Sequence, residues 1–203
     1  IYNVGTFTIT TSTFTSNTAD NKGGAIAHKL GTTTLTDTTF ENNNAYYGGA
    51  IFSKANLNIL DSTFNTNNAT MGGALFNNNT ATITNTQFNT NNATWGGAIY
   101  NNNTLTLTDN TFNDNTAENK GGAIYNTGTL TILSDTTTTE FNGNYARYHG
   151  GAIYNTGTET ITDTNFENNT SEYGGAIVNG ATTSSTELTN TNFTTNNAHY
   201  GDG

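Results

Sequence analysis

Gly96-Gly97-Ala98-Ile99-Tyr100-Asn101, followed by Phe112-Asn113-Asp114-Asn115, is one copy of a unit that recurs along the whole chain. Gly-Gly-Ala-Ile also starts at Gly23, Gly48, Gly121, Gly150 and Gly174, and Gly-Gly-Ala-Leu starts at Gly72. Successive first glycines are 25, 24, 24, 25, 29 and 24 residues apart. Phe-x-x-Asn keeps the same phase, at Phe14/Asn17, Phe40/Asn43, Phe64/Asn67, Phe88/Asn91, Phe112/Asn115, Phe141/Asn144, Phe166/Asn169 and Phe193/Asn196. Self-similarity at a fixed period of this length is the signature of a solenoid, in which each repeat is one coil packed only on its neighbours.

Alternation inside each repeat indicates short strands rather than helices. Ile99 is expected to point inward, with Ala98 and Tyr100 outside. A second apolar column lies five residues before each Phe, at Ile9, Leu35, Ile59, Ile83, Leu107, Ile161 and Leu188, and the Phe residues form a third. Three inward columns predict a roughly triangular parallel β-helix with three parallel sheets and about eight coils of about 24–25 residues. At the usual strand spacing that is a rod roughly 38 Å long. Residues 1–203 are read as a single β-solenoid domain.

The other repeated residues suit that fold. Paired glycines allow a corner with positive φ and close backbone approach. The Asn after each Phe can stack into an amide ladder. Asp37, Asp61, Asn85, Asp109, Asp163 and Asn190 precede a Phe by three, and these residue types bond their own backbone at turns. Proline is absent, as suits a backbone whose N–H groups are needed by the next coil.

Composition narrows the function classes. Only 32% of residues are hydrophobic, which a thin core stripe per coil accommodates. The net charge of −10, with 5 Lys plus Arg, disfavours nucleic acid and anionic lipid as partners. With no cysteine there is no disulfide or thiolate metal site. No run of about 18 apolar residues suggests membrane insertion by this segment, and Ile1 does not open a signal peptide.

Gly-Gly-Ala-Ile alternating with Phe-x-x-Asn resembles the repeats of the polymorphic outer membrane proteins. That resemblance, which covers essentially the whole chain, implies surface-exposed right-handed parallel β-helices and a role in adhesion or surface structure. Cysteines and a membrane β-barrel, frequent in that family, are absent from this sequence.

The ends read as continuations of the repeat: Ile1-Tyr2-Asn3 resumes a Gly-Gly-Ala, and Tyr200-Gly201-Asp202-Gly203 begins another. Ile1, Tyr2, Tyr200, Gly201, Asp202 and Gly203 are therefore the expected end-to-end stacking residues. Two readings stay open, an excerpt of a longer rod and a subunit that stacks head to tail into a fibre. The expected partners are flanking coils of the same chain or further copies of it.

Beside the inward Ile lies a column of Tyr2, Phe52, Phe76, Tyr100, Tyr125 and Tyr154, interrupted by Ala27 and ending in Val178. Facing out beside the alanines, it would form an exposed aromatic stripe, a candidate contact surface for a host protein or a glycan. Cross-strand ring stacking could equally serve only the sheet. A Thr-x-Thr array, including Thr34/Thr36, Thr82/Thr84 and Thr106/Thr108, resembles an ice-binding face, but Asn58/Leu60, Leu133 and Glu187 interrupt it.

Catalysis is not expected. Asp37 and Asp61 share a column one coil apart, near the roughly 5 Å separation that suits a retaining glycosidase. However, Asn85 and Asn190 hold the same slot elsewhere, which fits turn capping. His28, His149 and His199 share no column, so neither a triad nor a metal site is expected, and no cofactor. The sequence thus points to an extracellular or cell-surface shaft or fibre, with a polysaccharide-binding or polysaccharide-degrading β-helix as the alternative.

Overall fold

The computed structural model describes residues 1–200. Gly201, Asp202 and Gly203, three of the expected stacking residues, lie outside the described residues. The described residues wind into a parallel β-solenoid of eight coils in which every strand pairs with its equivalent one repeat away. Four sheets run along the rod, three of eight strands and one of seven, rather than the three expected.

One central coil shows the plan. Leu75–Asn77 belongs to the first sheet, Thr80–Thr84 to the second, Gln87–Asn89 to the third and Asn92–Trp95 to the fourth. The extra sheet arises inside Phe-x-x-Asn itself. In seven of the eight copies the residue before the Asn is a non-glycine with positive φ, as at Thr66 (52°), Thr90 (52°) and Asp114 (53°). In the eighth it is Gly143. This left-handed residue turns the chain, so the segment after the Phe cannot continue its strand and forms a separate one.

The turn before the Phe follows the sequence reading. Asp37, Asp61, Asn85, Asp109, Asp163 and Asn190 all have positive φ, between 46° and 57°. Asp and Asn tolerate this region because a short polar side chain can bond locally. At the glycine corner the two glycines differ. Gly96 has φ +65°, whereas a Cβ on Gly97 would collide with the carbonyl of Gly122 in the next coil. One glycine serves conformation and the other serves close approach.

The core is a set of axial columns. Phe40, Phe64, Phe88, Phe112, Phe141 and Phe166 are fully buried. From Phe14 to Phe193 adjacent rings are near-parallel, with centroids 4.6–5.0 Å apart. The strand spacing sets that distance, and since carbon atoms pack at about 3.5–4.0 Å, the rings are offset along their planes, the favourable arrangement. Ile132 fills the second apolar column in the longest coil, pairing with Leu107 and Ile161. Each Thr-rich strand also points a second residue inward, at Leu57, Ala81, Leu105 and Leu130.

Ala98 corrects the sequence expectation. It is fully buried, as are Ala50, Ala74, Ala123 and Ala152, so these alanines belong to the core and not to the outer surface. The cause is a local irregularity in the ladder: the N–H groups of both Ala74 and Leu75 donate to the Ala98 carbonyl. Two residues share one acceptor, strict alternation fails there, and both side chains face inward.

The expected amide ladder is present. Asn67 Nδ2 donates to Asn91 Oδ1 (3.0 Å) and to the Phe40 carbonyl (3.0 Å), and Asn67 N also donates to Asn91 Oδ1 (3.0 Å). The pattern repeats at Asn43, Asn91, Asn115, Asn144 and Asn169. A second ladder, Asn77–Asn101–Asn126–Asn155, stands at the end of the first sheet.

Candidate functional site

The sequence nominates the outer side of the first sheet. Its strands place Tyr2, Ala27, Phe52, Phe76, Tyr100, Tyr125, Tyr154 and Val178 in strict register. The fourth sheet places Lys22, Tyr47, Met71, Trp95, Lys120, His149 and Tyr173 in a parallel column. Only the glycine corner separates the two columns. Tyr47 meets the Phe76 ring edge-on at 5.2 Å, and His149 meets Tyr154 at 5.9 Å. The corner is therefore a seam along the rod in which side chains of the two columns interlock.

This overturns the picture of an open stripe. Phe52, Phe76 and Tyr154 are buried at 6%, 8% and 5% exposure, because the second column covers them. Tyr100 and Tyr125 are half-buried, and Tyr2 is the freely exposed member at 67%. The rings do stack as expected, with centroids 4.9–5.4 Å apart from Phe52 to Tyr154. Ile1 (53%) and Tyr200 (74%) are exposed.

Cations interleave with the rings. The Lys22 ammonium lies 4.9 Å from the Phe52 ring centroid, and that of Lys120 lies 4.3 Å from the Tyr154 ring. Lys120 Nζ also donates to the Tyr154 hydroxyl at 3.0 Å. Contacts of this kind contribute about 0.5–2 kcal/mol each, less where the ammonium is exposed, as at Lys22. Burial raises the Tyr125 hydroxyl to about 12, with Tyr100 and Tyr154 adding smaller effects, so the phenol stays neutral. Burial is also the main reason that Tyr100 is raised and His149 lowered, the latter helped by Lys120.

Three features escaped sequence reasoning. His28 is fully buried, its ring nitrogens 3.2 Å from Ser53 Oγ and 3.0 Å from the Leu30 carbonyl, and burial lowers its pKa. It occupies the column that holds Asn77 and Asn101 further on, so its role is structural. Glu159 points into the core, where Leu130 stands one coil earlier. Its Oε2 accepts from Thr186 Oγ1 at 3.0 Å, while Oε1 has no partner, and burial raises it to about 7. Finally, Lys22, Lys29 and Lys54 gather beside Tyr2 and Phe52. The readable signals were a Glu in a slot otherwise apolar over several coils and two lysines one repeat apart.

Asp37 and Asp61 occupy left-handed turn positions, and Asn85 Nδ2 donates to Asp61 Oδ1 at 2.6 Å. Among the described residues, no group of three or more His, Cys, Asp and Glu side chains is arranged to hold a metal ion, and no helix is long and apolar enough to cross a membrane.

Comparison with known proteins agrees with the geometry. The family model for the Chlamydia polymorphic membrane protein repeat matches residues 138–156 and 163–180. No curated protein and no solved structure matches the chain. A model described as a right-handed β-helix region matches residues 1–137, more than half of the sequence. With eight parallel coils in register beneath that match, the chain belongs to the right-handed β-helix family.

Proposed function

We propose that this chain is a stiff shaft segment of a cell-surface adhesin-type structure, working by shape and contact and not by catalysis. The carrying observation is the axial register. One ring stack runs from Phe14 to Phe193 and one amide ladder from Asn17 to Asn196, so every coil is keyed to the next by the same side chains. The polymorphic membrane protein repeat supports an outer membrane or cell-surface setting. The aspartate column that could have paired carboxyl groups serves left-handed turns, which favours a non-enzymatic role.

Assembly through coil ends is the finer part of the proposal. The last described coil turns Leu188 (46% exposed) and Phe193 (44%) of the core columns toward solvent. Another coil, from the same chain or from a second copy, would bury them. Electron microscopy of the purified chain across a concentration series tests this. Unbranched filaments with an axial repeat of roughly 38 Å support self-assembly, and single short rods at every concentration exclude it. Adhesive contact through the seam is tested separately. Tyr100→Ser with Tyr125→Ser removes its half-buried rings, and unchanged cell binding or bundling by this variant, with coils still folded by circular dichroism, removes the seam from the proposal.

A further inference from the structure

The seam is missing one ring. Ala27 stands in register between Tyr2 and Phe52, at a position where the next five coils carry Phe or Tyr. Two strand spacings separate Tyr2 from Phe52, roughly 10 Å, which is the height of one absent ring with normal stacking distance on either side. The space remains open as a cavity of about 170 Å³, lined by Tyr2, Lys22, His28, Lys29, Phe52 and Lys54.

Its charge is unlike that of the rest of the molecule. Three of the chain's five Lys plus Arg residues line it, against 15 Asp plus Glu overall, and no carboxylate is among its lining residues. The Lys22 ammonium stands over the Phe52 ring at 4.9 Å. Lys29 and Lys54 follow one another along the axis, their N–H groups donating to the carbonyls of Asn3 and His28. The positive charge thus runs over more than one coil level instead of converging on a point. Lys120 provides the contrast: it has the same relation to Tyr154, but Tyr125 fills its level and its ammonium is bonded to the Tyr154 hydroxyl.

We propose that this notch binds an acidic polysaccharide. One pyranose ring occupies the level of Ala27, a C–H face against the exposed Tyr2 ring, and its carboxylate or sulfate meets Lys22, which caps the Phe52 ring on that side. The next anionic groups along the polymer meet Lys29 and Lys54. The Tyr2 face holds the ring and ammonium groups hold its charge. The proposal deepens the contact role given to the seam and rests on it for biological purpose.

The test is calorimetric titration of the intact chain at low and moderate salt with four probes: a heparin hexasaccharide, hexagalacturonate, maltohexaose and polyglutamate. Binding of at least one acidic hexasaccharide, weakened by salt, is expected, with none for maltohexaose. The two acidic sugars distinguish sulfate from carboxylate recognition. Ala27→Phe fills the notch with the ring that other coils carry and keeps all three lysines, so at least a tenfold loss of affinity is expected. Lys29→Glu with Lys54→Glu should give a similar loss. Unchanged affinity in Ala27→Phe, polyglutamate binding as tight as the sugars, or no binding of either acidic sugar overturns the site. An Ala27→Phe chain that loses the sugar yet still adheres to cells leaves the adhesive reading standing without depending on this notch.

Discussion

At the residue scale, the ladder amides and Glu159 represent opposite cases of buried polarity. Asn91 Nδ2 donates to Asn115 Oδ1 and the Phe64 carbonyl, while its Oδ1 accepts twice from Asn67. Every polar atom of that side chain is satisfied, so its burial is offset by hydrogen bonding. Asn91→Ala strands the Asn67 donors in the core and should cost roughly 3 kcal/mol, since each unsatisfied buried group costs about 1–3 kcal/mol. Urea unfolding measures this, and a loss below about 1 kcal/mol would mean that water enters the ladder freely. Glu159 is the unsatisfied case, with one oxygen bonded to Thr186 and the other to nothing. Its folded pKa of about 7 lies above the ordinary 4.5, so the folded state binds the extra proton. Stability is therefore highest below pH 4.5 as far as this group is concerned, and it falls as pH rises through 7, by roughly 3 kcal/mol in all. His28, buried neutral, acts in the opposite direction and weakens the fold as pH falls. Glu159→Gln should flatten the decline between pH 5 and 8 in thermal melts and raise Tm at pH 8. An unaltered pH profile in that variant would show that the carboxylate is not desolvated.

At the scale of the element, strands and turns were legible from the repeat to different degrees. The inward Ile, Leu and Phe columns, the capped turns and the ladder follow directly from residue type and phase, because a parallel solenoid places equivalents over one another. The fourth sheet was not legible, since Thr66 or Thr90 at positive φ gives no compositional signal comparable to glycine. Nor was the covering of the aromatic column, which depends on the angle between two sheets and not on alternation within either. The long coil shows how an insertion is absorbed. Its extra residues leave the ladder after Leu133 and return at Thr139, so Phe141 still pairs with Phe112 and Phe166. Asp109 anchors the excursion by accepting from the N–H groups of Asp135, Thr136 and Thr137 and from the Thr136 hydroxyl. Desolvation, its largest single influence, raises the carboxyl, but these hydrogen bonds together outweigh it and hold the pKa below the usual range. Asp109→Asn keeps a residue suited to positive φ but surrenders the charge-assisted acceptors. Hydrogen exchange at residues 135–137 should then accelerate several-fold while the Phe141 strand remains protected. Equal exchange in both proteins would mean that the loop is ordered by its other contacts, such as Ser134 Oγ with the Asp163 carbonyl.

At the scale of the whole molecule, stability is a sum over coils and the interfaces between them, so identical substitutions should differ in cost by position. Phe88 is fully buried between Phe64 and Phe112, whereas Phe193 stacks, among the described residues, only on Phe166 and is 44% exposed. Truncating a buried Phe to Ala costs about 3–5 kcal/mol, lost transfer energy plus an unfilled cavity. Phe88→Ala should pay that in full and, lying mid-rod, should weaken coils on both sides. Phe193→Ala forfeits one stacking partner and part of its burial, so in dilute solution roughly 1–2 kcal/mol is expected. Raising the protein concentration separates the assembly models. If a second copy seats on the last coil, Phe193 becomes buried and its truncation should approach the cost of Phe88→Ala, with Tm of the unmodified chain rising with concentration. If the two costs stay apart at every concentration, coil-end stacking between copies is excluded.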